Sequence, residues 1–202
     1  MYRIVLQTAI VAASFIGAST RAAILHIPAD HSTIQAGINA AVNGDTVLVE
    51  HGLYRENLKV FSKSILLTSN YMFDKDPIHI LETIIDGSSP VHADTGSCLI
   101  IKLGTGVIVQ GFTFTSGTGT KWFDPSDGNT YREGGGILTD GTTATIRFNL
   151  IVNNSVESSP DVTSAGGGGI RCGFGGTRII GNVIAYNQGR YGGGMVAFFA
   201  PG

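Results

Sequence analysis

Apolar residues recur along the second half of the chain at a fixed internal spacing. Ile100, Val109 and Phe114 are followed by Ile137, Ile146 and Ile151, and then by Ile170, Ile179 and Ile184. Within each triplet the steps are nine and five residues, whereas the distance between triplets changes from 37 to 33. A unit that keeps its interior while its connection varies is a structural repeat with an elastic loop. Glycine runs open the later units, as Gly134-Gly135-Gly136-Ile137, Gly166-Gly167-Gly168-Gly169-Ile170 and Gly192-Gly193-Gly194-Met195. The constant positions are β-branched or aromatic, for example Val107-Ile108-Val109 and Thr145-Ile146-Arg147-Phe148, and suit a pleated, half-buried surface. No window here carries a helical apolar period.

Strand side chains alternate faces, so the odd five-residue step between two inward residues demands a bend. Asn149 and Asn182 occupy matching positions at that bend, and asparagine tolerates tight-turn backbone. Each unit therefore predicts strand, short turn, strand, bend, strand. Stacked units predict an all-β fold, a right-handed parallel β-helix solenoid in which each coil buries its face against its neighbours. A β-sandwich with glycine-rich hairpins is the alternative, and it leaves the matched triplets without a cause.

Upstream, Ser32 or Asp30 is placed to cap a short helix whose Ile34, Ile38 and Ala41 share one face. Asn43-Gly44 then offers a left-handed stop. This amino-terminal cap, about residues 26–45, would cover the open edge of the first coil, with coils from about 46 to 202. After Met195-Val196-Ala197-Phe198-Phe199 the sequence holds no comparable element before Pro201-Gly202. The expectation is a solenoid truncated at its carboxyl end, with its remainder beyond Gly202 and with association-prone open edges.

Three stretches carry a family resemblance: Ser32-Thr33-Ile34-Gln35-Ala36, Asn43-Gly44-Asp45-Thr46-Val47-Leu48-Val49 and Gly52-Leu53-Tyr54-Arg55-Glu56-Asn57. Residues 26–60 resemble the cap and first coil of the pectate-lyase-like superfamily of β-helix proteins. The Gly-Gly-Gly-Ile units with Asn153-Asn154 and Asn187 resemble later coils of that group, and are similar to the repeats of bacterial polymorphic outer-membrane proteins. The resemblance implies the fold. It leaves activity open, because the superfamily includes lyases, hydrolases, esterases, epimerases and non-catalytic surface proteins. Its active-site signatures are absent: there are no paired aspartates or Gly-His-Gly of polygalacturonases, and no Asp-Phe motif of pectin methylesterases. Ser126 stands where an alginate epimerase has the histidine of Asp-Pro-His.

Arg3 followed by the uncharged stretch Ile4 to Ala18 has the layout of a secretory signal peptide, expected to span residues 1–22. Residues 23–202 then form the β-helix domain, secreted or at the cell surface, with no membrane span after signal removal. Taking Arg3 and Arg21 from 13 basic residues leaves 11 against 15 acidic ones, a formal charge of −4. That balance argues against nucleic acid, whose binding needs a basic footprint. Cys98 and Cys172 fall two coils apart and at different positions along the strand direction, too far apart for a disulfide. They are expected as buried, unpaired small hydrophobes. The five histidines show no metal-ligand spacing.

Every long connection after Phe114 falls in the same turn, so the insertions project from one side, where loops usually carry function. In the longest, residues 117–133, Trp122 and Tyr131 offer stacking surfaces for sugars. Asp124, Asp127, Arg132 and Glu133 offer bonds to hydroxyls or uronate carboxylates. Trp122 and Phe123 also read as loop packing, and Asp124-Pro125-Ser126-Asp127-Gly128 as turn chemistry. Asp124 and Asp127 supply oxygens of the type calcium takes, although calcium wants several; no other cofactor is expected. Arg171 follows inward Ile170 and points outward. The resemblance offers it as a proton-abstracting base, and a solvated surface arginine is the plainer reading. The partner expected is a polysaccharide or cell-surface glycan. Two functions stand side by side: a non-catalytic glycan-binding or adhesin-like module, or the amino-terminal part of a lyase or glycoside hydrolase acting on acidic polysaccharide.

Overall fold

Three parallel sheets wind around a single apolar core in the computed structural model, which describes residues 21–198. The expected signal peptide falls almost wholly in residues 1–20, and the chain end in 199–202; both lie outside the described residues. A six-stranded sheet runs Ile24–Ile27, Thr46–Val49, Leu66–Ser69, Thr105–Gln110, Thr143–Arg147 and Arg178–Ile180. A corner sheet contains Gly52–Tyr54, Thr83–Asp86, Thr113–Thr115, Leu150–Val152 and Val183–Ala185. An entry sheet, named for the glycine runs that lead into it, contains Leu58–Phe61, Leu99–Lys102, Ile137–Asp140, Ile170–Cys172 and Met195–Ala197. Successive coils pair in parallel in all three, so this is a parallel β-helix.

The repeated triplets are the core. Ile137 pairs with Ile170, Ile146 with Ile179 and Ile151 with Ile184, and Ile137, Ile146 and Ile151 are fully buried. Each such side chain contributes roughly 1.5–3 kcal/mol by leaving water. The first triplet is out of register by one. Leu99, not Ile100, pairs with Ile137, because an extra residue near Gly106 bulges the strand and lengthens the first step. Ile100 faces outward, yet it is buried.

Asparagine does hold the bend, but not by adopting its strained backbone. The positive φ falls on the preceding residue, 52° at Phe148 and 61° at Gly181. Asn149 instead turns its carboxamide inward, giving Nδ2 to the Val109 and Arg147 carbonyls and to Asn182 Oδ1 at 3.0 Å. Its Oδ1 accepts from Phe112 N. Five residues on, Asn154 repeats the arrangement between Phe114 O and Asn187 Oδ1. Two ladders of stacked carboxamides thus bracket the corner strands and close the buried backbone groups there.

At the amino end, helix α1 (Ile34–Ala40) buries Ile34 and Ile38. Its N-cap is Thr33, whose hydroxyl accepts from Ala36 N, in place of the expected Ser32 or Asp30. The helix ends at Ala41 in extended backbone, and the left-handed Gly44 lies beyond it in the following turn. The Glu56 carboxylate accepts from Ile34 N and Gln35 N, while Lys63 Nζ donates to the Ile38 and Asn39 carbonyls, matching both ends of the helix dipole. Gln35 also bonds the backbone of Lys59 in both directions, so the helix seals the free edge of Leu58–Phe61. Within Tyr54-Arg55-Glu56-Asn57, Glu56 thus caps the helix, and Asn57 Nδ2 bonds the Gly87 and Ser97 carbonyls. Asp45 ties Ala23 N and Val42 N, and these amide bonds hold its carboxyl below the usual carboxylate range.

Both cysteines are buried and free, and burial pushes the Cys98 thiol up to about 12. One insertion escaped the periodicity. Helices α2 (Tyr71–Asp74) and α3 (Ile78–Glu82) sit between the six-stranded and corner sheets, at a different turn from the later loops. No helix among the described residues is long and apolar enough to cross a membrane.

Replacing Ile146 with Asp is expected to cost more than about 4 kcal/mol and to remove the cooperative thermal transition. Ile180→Asp, one residue from inward Ile179 but 38% exposed, should stay within about 1 kcal/mol of wild type. Asp45→Asn should lower the melting temperature at neutral pH. Because the Asp45 pKa is depressed on folding, its contribution is present above the ordinary value of 3.8 and is lost as pH falls below it. The two melting curves should therefore converge in acid.

Candidate functional site

The long insertion folds as a two-stranded antiparallel ribbon, Gly119–Asp124 against Asn129–Glu133. Its turn is built by the aspartates: Asp124 Oδ1 accepts from Ser126 N and Oγ, and Asp127 Oδ1 accepts from Asn129 N. Gly128 supplies the positive φ, 73°, that the reversal requires. Register then decides which side chains share a face. Trp122 lies opposite Tyr131 and Thr120 opposite Glu133, while Lys121 lies opposite Arg132 on the other face. The paired Trp122 and Tyr131 rings stand 5.5 Å apart.

The ribbon leans back over the outer face of the entry sheet. That face presents Ile100, Leu138 and Arg171 in one register column, all of them almost inaccessible to solvent. This corrects the expectation of a solvated Arg171, which is 1% exposed. Trp122 covers its guanidinium, with the ring centroid 4.2 Å from Cζ. Nε lies 3.3 Å from Glu133 Oε2, and Nη1 bonds Asp140 Oδ1 and the Thr139 carbonyl, each at 3.1 Å. Nη2 has no partner. Glycine at 173 makes this seat, since a Cβ there would lie 1.9 Å from Nη1.

Glu133 organises the cluster. Besides its ion pair with Arg171 it accepts hydrogen bonds from Trp122 Nε1 at 2.7 Å and from the Tyr191 hydroxyl at 2.6 Å. Glu133, Gly166 and Tyr191 are in register from coil to coil, and the Tyr191 ring passes over Gly166, where a Cβ would come within 2.5 Å of it. Burial, and then the Glu133 carboxylate, push the Tyr191 hydroxyl pKa upward. These groups line a cleft of about 210 Å³, walled by Trp122, Asp124, Asp127, Tyr131, Glu133, Tyr191, Val196 and Phe198 with Arg171 at its base.

Five of the six expected binding residues meet in this cleft, together with Arg171. Arg132 does not: it faces the other side and bonds the Ala93 carbonyl and Asp94. The pleat dictates this, because Arg132 follows Tyr131 directly. Asp124 bonds within the turn, and Asp127 Oδ2 accepts from the Tyr131 hydroxyl at 2.6 Å. Among the described residues no three His, Cys, Asp or Glu side chains converge in a metal-holding group. Tyr191, Asp140 and Phe198 escaped notice. Tyr191 was findable, since it precedes Gly192-Gly193-Gly194 as Glu133 precedes Gly134-Gly135-Gly136.

Comparison of this chain with protein-family models, curated proteins and solved structures returned no match. The fold and the cleft therefore stand on their own geometry.

Glu133→Ala should destabilise the protein by about 3–5 kcal/mol, because it leaves the Arg171 charge buried with only Asp140 beside it. Glu133→Ala with Arg171→Met should be less destabilised than the single variant. The check is chemical denaturation of the three proteins, with the emission of Trp122, the only tryptophan in the chain, shifting red in Glu133→Ala.

Proposed function

We propose that this chain is a non-catalytic, glycan-binding β-helix module, secreted or surface-exposed, that takes neutral sugars in the ribbon cleft. The observation that carries the proposal is the Arg171 guanidinium, which lines an aromatic-walled cleft while its Nε and Nη2 make no hydrogen bond. A buried donor without a partner costs about 1–3 kcal/mol, more when charged, and a ligand oxygen would recover that cost. Trp122, Tyr131 and Phe198 supply apolar faces for sugar rings, and the outer carboxylates supply acceptors for hydroxyls.

Charge decides between neutral and acidic glycans. Asp124, Asp127 and Glu133 line the cleft against the single guanidinium of Arg171, which already faces Glu133 and Asp140. A uronate would bring a further negative charge into this cluster. Hydroxyls and neutral carbonyl oxygens accept from Nη2 without that repulsion. The same contacts weigh against Arg171 as a catalytic base: a guanidinium has donors and no acceptor, and this one already faces two carboxylates. A module of the pectate-lyase-like superfamily without its catalytic residues accommodates the sequence resemblance, the cap and the coils together.

The test is titration with neutral and with uronate oligosaccharides, followed by Trp122 fluorescence. Neutral oligosaccharides are expected to bind. Trp122→Ala, followed calorimetrically, should weaken binding at least tenfold, a loss of about 1.4 kcal/mol. Arg132→Ala should leave affinity unchanged, and no unsaturated product should form from uronate polymers. Tighter binding of uronates, or β-elimination, would overturn the reading.

A further inference from the structure

Far from the ribbon, the α2–α3 insertion meets the first coil through two histidines. Strand register sets this up: Gly52 pairs with Thr83, so the preceding residues, His51 and Glu82, are neighbours. Helix α3 places His79 one turn before Glu82, on the same side. His51 Nδ1 lies 2.8 Å from Glu82 Oε2, and His79 Nε2 lies 3.2 Å from Asp74 Oδ2. The remaining nitrogens, His51 Nε2 and His79 Nδ1, face each other at 2.6 Å.

His79 Nε2 bonds Asp74 and His51 Nδ1 faces Glu82; in the tautomer that puts a proton on each of these outer nitrogens, each inner nitrogen presents a lone pair. Two lone pairs at that distance repel unless a positive centre lies between them. We propose that His51 and His79 form a binding site for a late first-row divalent metal ion, Zn²⁺ or Cu²⁺, which displaces the proton the two rings otherwise share. Imidazole nitrogens favour these ions. A carboxylate on the outer nitrogen is the support that metal-bound histidines generally have: it fixes the tautomer and raises the basicity of the inner nitrogen. With Zn–N bonds of about 2.0–2.1 Å the two nitrogens must separate to about 3.3 Å. The His51 side chain, 37% exposed, has room to make that move. Two protein nitrogens converge, and water completes the coordination. The site would pin the helical insertion to the coil beneath it.

The experiment is calorimetric titration of the full chain with Zn²⁺ near neutral pH, alongside NMR of ¹⁵N-labelled histidine rings. One equivalent should bind, and two of the five histidines should shift. His51→Ala and His79→Ala should each weaken binding at least tenfold. Glu82→Gln should keep the stoichiometry with about 10–100-fold weaker affinity, and His92→Ala should bind as wild type. Thermal transitions verify folding, with His51→Gln and His79→Gln as replacements for any unfolded alanine variant. The buried cysteines do not compete. Absence of heat and ring shifts at about 1 mM Zn²⁺, or binding that survives loss of both histidines, would overturn the proposal and leave a shared proton only.

Discussion

A buried asparagine carboxamide that reaches two coils at once is the constraint on which the rest of this structure depends. Asn149 Nδ2 touches a carbonyl of the coil before it, at Val109, and the carboxamide of the coil after it, at Asn182. Asn154 does the same between Phe114 and Asn187. No other side chain of that length carries both a donor and an acceptor in the needed geometry. Loss of one partner would leave several buried backbone groups open, at about 1–3 kcal/mol each. The corner is consequently the same in the two coils that carry Asn149 with Asn154 and Asn182 with Asn187, and the amides of Phe112 and Gly117 tie the preceding coil to the same ladders.

Fixed register makes the variable turn useful. An insertion leaves the core between the corner and entry strands and returns at a position that the next coil already dictates. The ribbon at 119–133 uses this anchoring twice, through its own turn at Asp124 and through Tyr131–Glu133, which pairs in parallel with Ser164–Gly166. Lys121 and Asp161, 2.7 Å apart, fasten the ribbon to the next loop. With both strands held, Trp122 is laid across Arg171, and a residue on the outside of the solenoid becomes one of its most buried. Glu133 then accepts from tryptophan and tyrosine and pairs its charge with the arginine.

The coil interior was legible in the sequence because stacking restricts it. Ile137, Ile146 and Ile151 must match their neighbours above and below, so the same residue types return at the same spacing. The one error in register arose at a bulge, where Gly106 adds a residue without altering the apolar pattern. The site was legible in part. Trp122, Tyr131, Asp124, Asp127 and Glu133 stood together in one loop, but the two-residue alternation that removes Arg132 applies only once the loop is known to be a ribbon. The burial of Arg171 was not legible at all. It comes from a chain segment folding back across a sheet face, and no periodicity records that contact. The α2–α3 insertion was missed because each helix spans too few residues to show an apolar period.

The central claim is that the cleft over Arg171 receives a neutral sugar. A crystal structure of the protein soaked with a neutral oligosaccharide tests it most directly. A sugar ring is expected against Trp122 with one of its oxygens accepting from Arg171 Nη2, and the Glu133 contacts unchanged. A sugar bound away from the ribbon, or an Nη2 satisfied by a protein group with the cleft empty at saturating ligand, would contradict it.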